Sequence, residues 1–143
     1  MVCVEPARLE PYQAMVERGL MKRVLIIEDS PVVLKSMLDI FYPRWSPFSV
    51  DFQVTITTSG GEAKRLLGGN YDLIFVDYDL PDYISGGEVL QYGFTAGLIR
   101  PPTRIIAISG VPTNNERLLE LGAHLAIDKN SRDFYDRVKQ LLD

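Results

Sequence analysis

Four groups of polar residues stand directly after short apolar runs. Glu28-Asp29 follows Val24-Leu25-Ile26-Ile27, Asp77 follows Leu73-Ile74-Phe75-Val76, Ser109 follows Ile105-Ile106-Ala107-Ile108, and Asp128-Lys129 follows Ala123-His124-Leu125-Ala126-Ile127. Glu28, Asp29 and Asp77 are hard oxygen donors of the kind Mg²⁺ takes, with water, a main-chain carbonyl and a substrate oxygen completing its shell. Carboxylates gathered this closely are costly unless a cation neutralises them, so a divalent metal is expected. Lys129 and Ser109 add an ammonium and a hydroxyl, the groups that hold phosphoryl oxygens. Phosphoryl transfer needs charge neutralisation and in-line positioning more than an acid or base. Asp77 is then the nucleophile that becomes an aspartyl phosphate.

The elements that must position these groups follow from the same runs. Each run is too short for a helix and lacks polar alternation, which suits a strand of a parallel sheet covered on both faces. Open α/β sheets bind ligands at the carboxyl ends of their strands, where these polar groups fall. Residues 50–58, rich in β-branched side chains, predict a further strand nearer the sheet edge.

Helix signals separate the strands. Ser30 and Pro31 read as N-cap and first helical residue of a helix through Val33, Leu34, Met37, Leu38 and Phe41. Ser59 with Glu62, Ser85 with Glu88, and Thr113 with Glu116 have capping-box spacing. Gly68-Gly69 and Gly122 mark helix ends. Residues 132–142 place Phe134, Val138 and Leu141 on one helical face. Five strands alternating with five helices imply an α/β fold, a parallel sheet wrapped by helices through right-handed crossovers.

At 143 residues and 46% hydrophobic content the chain can bury the core of one domain. A net charge of −4, without a Lys/Arg stripe, argues against direct nucleic-acid binding. The lone Cys3 excludes an intrachain disulfide, and no Cys/His spacing suits zinc. No apolar stretch nears the roughly 18 residues of a membrane span, and Glu5, Arg8 and Glu10 occupy the place of a signal peptide's apolar core. A cytoplasmic protein is expected. Residues 1–20, interrupted by Pro6 and Pro11, read as an N-terminal extension or start-site artefact in which only 12–20 could form a short helix. Residues 21–143 read as the domain.

On these motifs the chain from about Lys22 resembles a response-regulator receiver domain of two-component signalling, in single-domain form. The resemblance rests on Glu28-Asp29, on Asp77 with Pro81 four residues later, on Ser109-Gly110 and on Lys129, in this order on successive strand ends. It implies a flavodoxin-like, doubly wound (βα)5 fold with strand order 2-1-3-4-5, a Mg²⁺ requirement, and a histidine kinase or phosphotransfer protein as donor. It also implies that Asp79 gives its main-chain carbonyl to the metal. The function implied is a phosphoacceptor switch that acts by docking to a partner, with no enzyme activity beyond self-phosphorylation and autodephosphorylation.

Several positions depart from the family pattern. Ala126 stands where an aromatic usually swings inward to read out phosphorylation. Asn130 replaces the proline after the lysine, which makes a cis bond there improbable. The loop from Pro81 to Gly87 is one residue longer, and Asp79 adds a carboxylate near the acceptor.

Ala126 and Asn130 motivate a second reading, a degenerate receiver that docks a partner irrespective of phosphorylation. A third, a small Mg²⁺-dependent phosphohydrolase, fits less well because such enzymes carry the nucleophile on their first strand. A flavin or nucleotide site is disfavoured, since Glu28-Asp29-Ser30-Pro31 would repel a phosphate. His124 reads as structural, and Trp45 as a packing anchor.

Overall fold

The structure, a computed structural model, describes residues 2–4, 21–42 and 51–142. Strands β1 (Val2–Val4), β2 (Met21–Ile27), β3 (Asp51–Thr57), β4 (Leu73–Val76), β5 (Arg104–Ala107) and β6 (Leu125–Ala126) form one sheet in the order β1-β3-β2-β4-β5-β6. All neighbours are parallel except β1 and β3. The five parallel strands, counted among themselves, run 2-1-3-4-5, and with helices α1 (Pro31–Phe41), α2 (Gly60–Leu66), α3 (Gly86–Thr95), α4 (Pro112–Glu120) and α5 (Phe134–Gln140) they make the flavodoxin-like fold.

The apolar runs lack polar alternation because both sheet faces are covered. Val24 and Ile26 join Met37, Ile40 and Phe41 of α1 and Phe134 and Val138 of α5. Leu25 and Ile27, offset by one residue and so on the opposite face, join Ala63 of α2, Val89 and Leu90 of α3 and Leu118 of α4.

Register brings the strand ends level. Ile27 pairs with Val76, Val76 with Ala107, and Ala107 with Ala126. The ladder continues one step further, with the Asp77 N–H donating to the Ile27 carbonyl at 2.9 Å and the Ile127 N–H to that of Ala107 at 2.8 Å. Glu28, Asp77, Ser109 and Lys129 therefore emerge side by side.

Local signals hold in part. Ser30, Ser59 and Ser85 each cap a helix by accepting from the N–H three residues on. Thr113 does not. Pro112, with its preset φ, takes the first helical position, so α4 begins two residues too early for a Thr113 cap, and Val111 is the N-cap. Gly122 is left-handed, at φ 119°. After α2 the left-handed residue is Asn70, φ 57°, beyond a 3₁₀ turn over Leu67–Gly69, and neither Gly68 nor Gly69. A Cβ on Gly69 would lie 2.8 Å from the Tyr71 ring, so that glycine serves close approach.

The sequence reading placed no strand within residues 1–20, yet Val2–Val4 pairs antiparallel with β3. The helix considered for 12–20 and the connection holding Trp45 lie outside the described residues. Among the described residues the only cis peptide bond is Pro101-Pro102, so Lys129-Asn130 is trans. No helix among them is long and apolar enough to cross a membrane.

Candidate functional site

Glu28 is the most deeply placed group, fully buried at the end of β2. Its Oε1 accepts from the N–H groups of Asp29 (3.2 Å) and Ser30 (3.0 Å), which open into α1. Lys129, from the loop after β6, donates to both Glu28 oxygens at 3.1 Å and to Asp77 Oδ2 at 2.9 Å. Asp77 is 3% exposed, and its Oδ1 accepts from the Tyr78 N–H at 2.9 Å. Asp29 is exposed. One carboxylate oxygen each from Glu28, Asp29 and Asp77 lie within 4.8 Å of one another.

The charge balance fits a divalent cation. Three carboxylates face one ammonium, and burial pushes the carboxyls of both Glu28 and Asp77 up, with Asp77 adding its repulsion on Glu28. For Lys129, burial alone would lower the ammonium's pKa. The hydrogen bond to Asp77 and the charges of Glu28 and Asp77 outweigh it, so the group is held above the ordinary lysine value. Hard oxygen donors in negative excess, partly open to solvent at Asp29, suit Mg²⁺.

The other two candidates sit around this cluster. Ser109 is 2% exposed, and its Oγ accepts from the Val111 N–H at 3.0 Å. That bond leaves its own O–H proton unused. Asp79 stands apart from the three grouped carboxylates, exposed, with Oδ2 accepting from Asn114 Nδ2 at 3.3 Å. Lys129 thus joins Glu28 and Asp77 directly, Asp29 completes the acidic group, and the Asp79 side chain turns to α4.

Three supporting residues escaped the sequence reading. Gly86, first in α3, packs against the main-chain carbonyl of Asp77, where any Cβ would collide. Asn115, buried in α4, holds the main chain of Ser109 through two hydrogen bonds of 2.8 Å. Asp82 accepts from the N–H groups of Gly60 (3.0 Å) and Gly61 (2.8 Å), tying the lengthened loop to the start of α2. The Gly86-Gly87 pair was visible as a signal for close approach. Asn115 and Asp82 looked like ordinary helix and loop polar residues.

His124 is engaged with the main chain, its Nδ1 accepting from the Ile105 N–H at 3.0 Å. A cleft at the opposite end of the sheet, lined by Tyr71, Asp72, Leu98, Arg100 and Pro101, holds none of the grouped residues.

A five-stranded parallel sheet in this order, with an acidic group at its centre and a lysine reaching into it, defines a receiver domain of the response-regulator class. The chain is similar to a CheY-like response-regulator receiver domain from Methanospirillum hungatei JF-1, with 27% identity and a TM-score of 0.64, covering 86% of this chain and 94% of that one. It shares its fold with the response-regulator domain of Thermotoga maritima CheB, at 24% identity and TM-score 0.64 over 85% and 91% of the two chains. It also shares it with the receiver domain of the sensor histidine kinase PA1611 from Pseudomonas aeruginosa PAO1, a structure with a magnesium ion in its active-site cleft. That match has 20% identity and a TM-score of 0.65 over 85% and 93%. No protein-family model and no curated protein matches the chain.

Proposed function

We propose that the protein is a phosphoacceptor switch of two-component signalling that takes a phosphoryl group on Asp77 from a histidine kinase or phosphotransfer protein. The observation that carries this is the three-way contact of Lys129 with buried Glu28 and Asp77, next to exposed Asp29. An Asp77 carboxylate oxygen attacks phosphorus, the bond from phosphorus to the donor nitrogen breaks with its electron pair going to that nitrogen, and an acyl phosphate remains. The Tyr78 N–H and the Lys129 ammonium fix the Asp77 carboxylate for attack. Lys129 and the unused Ser109 proton are placed to hold the phosphoryl oxygens.

Glu28, Asp29 and Asp77 would hold Mg²⁺, with the Asp79 carbonyl as a further ligand, and the ion would neutralise charge on the transferred group. The metal in the Pseudomonas receiver supports this reading. The chain's own chemistry is confined to accepting and losing the phosphoryl group, and its output is docking to a partner protein in the cytoplasm.

Intact mass after incubation with acetyl phosphate and Mg²⁺ tests the proposal. One added phosphoryl group, requiring metal and missing in Asp77→Asn, is expected. The absence of both this adduct and beryllofluoride binding would overturn it. The half-buried methyl of Ala126, in place of an aromatic, favours phosphorylation-independent docking as the second reading. Partner binding unchanged by Asp77→Asn would select it.

A further inference from the structure

We propose that the cleft beside the Pro101-Pro102 turn is a binding site for a small aromatic carboxylate, separate from the acceptor group and independent of the function assigned to it. The cleft opens at the other end of the sheet, where β5 begins at Arg104 and His124 leads into β6. Arg100, Arg104 and His124 line its polar side, and Phe94, Ile99 and the two proline rings supply its apolar wall. None of the described carboxylates lines it.

The polar side carries donors without partners. Among the described residues neither the Arg100 nor the Arg104 guanidinium has an ion-pair or hydrogen-bond partner. His124 Nδ1 accepts from the Ile105 N–H at 3.0 Å, so the ring proton is on Nε2, the nitrogen left over for a ligand. Two guanidiniums and an imidazole N–H around one concavity, in a chain of net charge −4, form a local cationic site that lacks a counter-ion. A carboxylate suits it, because the arginine fork takes both carboxylate oxygens in parallel.

The turn that carries Arg100 is fixed before any ligand arrives. The Thr103 N–H donates to the Arg100 carbonyl at 3.1 Å, the Thr103 hydroxyl to the Tyr71 carbonyl, and the Arg104 N–H to the Asp72 carbonyl at 3.0 Å. Pro101 and Pro102 have their φ set by their rings. On the facing wall Phe94 is 40% exposed and seated on Gly122, where a Cβ would collide with its ring. A cleft shaped in advance loses little freedom on binding.

Size and charge set the ligand class. The cleft holds about 160 Å³. Sites for drug-sized molecules hold roughly 300–1,000 Å³, so this one suits a single ring. The larger cleft next to it, of about 290 Å³, shares Arg100, Pro101, Pro102 and Thr103 but is also lined by Asp72, whose carboxylate would repel an anion. The ligand's carboxylate is therefore assigned to the Arg104 side and its ring to Phe94 and the prolines.

Amide ¹⁵N spectra of the full chain, titrated with sodium benzoate at constant ionic strength, test the proposal, with benzamide and acetate for comparison. Benzoate is expected to shift Phe94, Arg100, Thr103, Arg104 and His124 saturably, with a Kd of about 1 mM, ordinary for so few atoms. Benzamide, which lacks the charge, and acetate, which lacks the ring, should each bind about tenfold more weakly. Arg100→Gln combined with Arg104→Gln should lower benzoate affinity by about tenfold, while the amides of β2 and β4 keep their native positions and so report an intact fold.

Equal binding of benzoate and benzamide, full benzoate affinity in the double variant, or no saturable shift at the cleft would overturn the proposal. The benzamide comparison uses the native chain and decides the matter whatever the stability of the variant. A tetraglutamate peptide that moves these amides where benzoate does not would also overturn it, since the cleft would then be a docking surface for an acidic protein segment.

Discussion

The Lys129 ammonium lies 2.9 Å from Oδ2 of Asp77, so the acceptor carboxylate is held in an ion pair in the resting protein. Lys129→Met leaves Glu28 and Asp77 buried without their counter-charge. A loss of about 3 kcal/mol is expected, the cost of breaking a buried pair from one side. Urea unfolding measures it, and saturating Mg²⁺ should recover part of the loss by replacing the missing positive charge.

Mg²⁺ should raise the thermal midpoint in a concentration-dependent way, by about 2.7 kcal/mol of added stability at a hundred times Kd. Asp29→Asn should weaken binding measurably by calorimetry. Asp79→Asn should leave it nearly unchanged, because the Asp79 side chain faces Asn114 and only its main chain is assigned to the metal. Equal weakening by both would refute that division.

Gly86→Ala drives a Cβ into the main-chain carbonyl of Asp77. Overpacking against backbone should cost about 3 kcal/mol and displace the acceptor. The denaturation midpoint and phosphoryl uptake should therefore fall together in this variant, although residue 86 carries no reactive group.

Asp82 supplies a pH test away from the acidic cluster. The Gly61 N–H, and then that of Gly60, hold its carboxyl below the ordinary aspartate value of 3.8. A depressed carboxyl contributes stability above its unfolded pKa, and that contribution is lost as pH falls through the folded one. Between neutral pH and acid below 3.8, the native protein should lose stability more steeply than Asp82→Asn. Urea midpoints across that range decide it, and parallel slopes would refute the cap.

The sheet was legible because burial on both faces writes itself as uninterrupted apolar runs, and the polar residues ending those runs mark one sheet edge. Ser30, Ser59 and Ser85 were legible because a cap acts within three residues. What escaped acts over distance or through backbone. Asn115 reaches Ser109 across a loop, Asp82 caps a helix 21 residues earlier in the chain, and Val2–Val4 pairs with β3 through main-chain groups that any sequence supplies. Thr113 misled because Pro112 beside it sets the helix start more firmly than a hydroxyl does.

The strand Val2–Val4 alters what the molecule offers to other chains. An outer strand ordinarily presents a row of unpaired amides and carbonyls, a template on which a foreign strand can zip. Here β1 covers positions 54 to 56 of β3 and becomes the outer strand itself, with only three residues to offer. At the far side only the two residues of β6 are exposed to such pairing, too short a stretch to nucleate it. Recognition by sheet extension, and the aggregation that shares its geometry, are thus disfavoured, leaving helices and loops to make the contacts by which this domain is read.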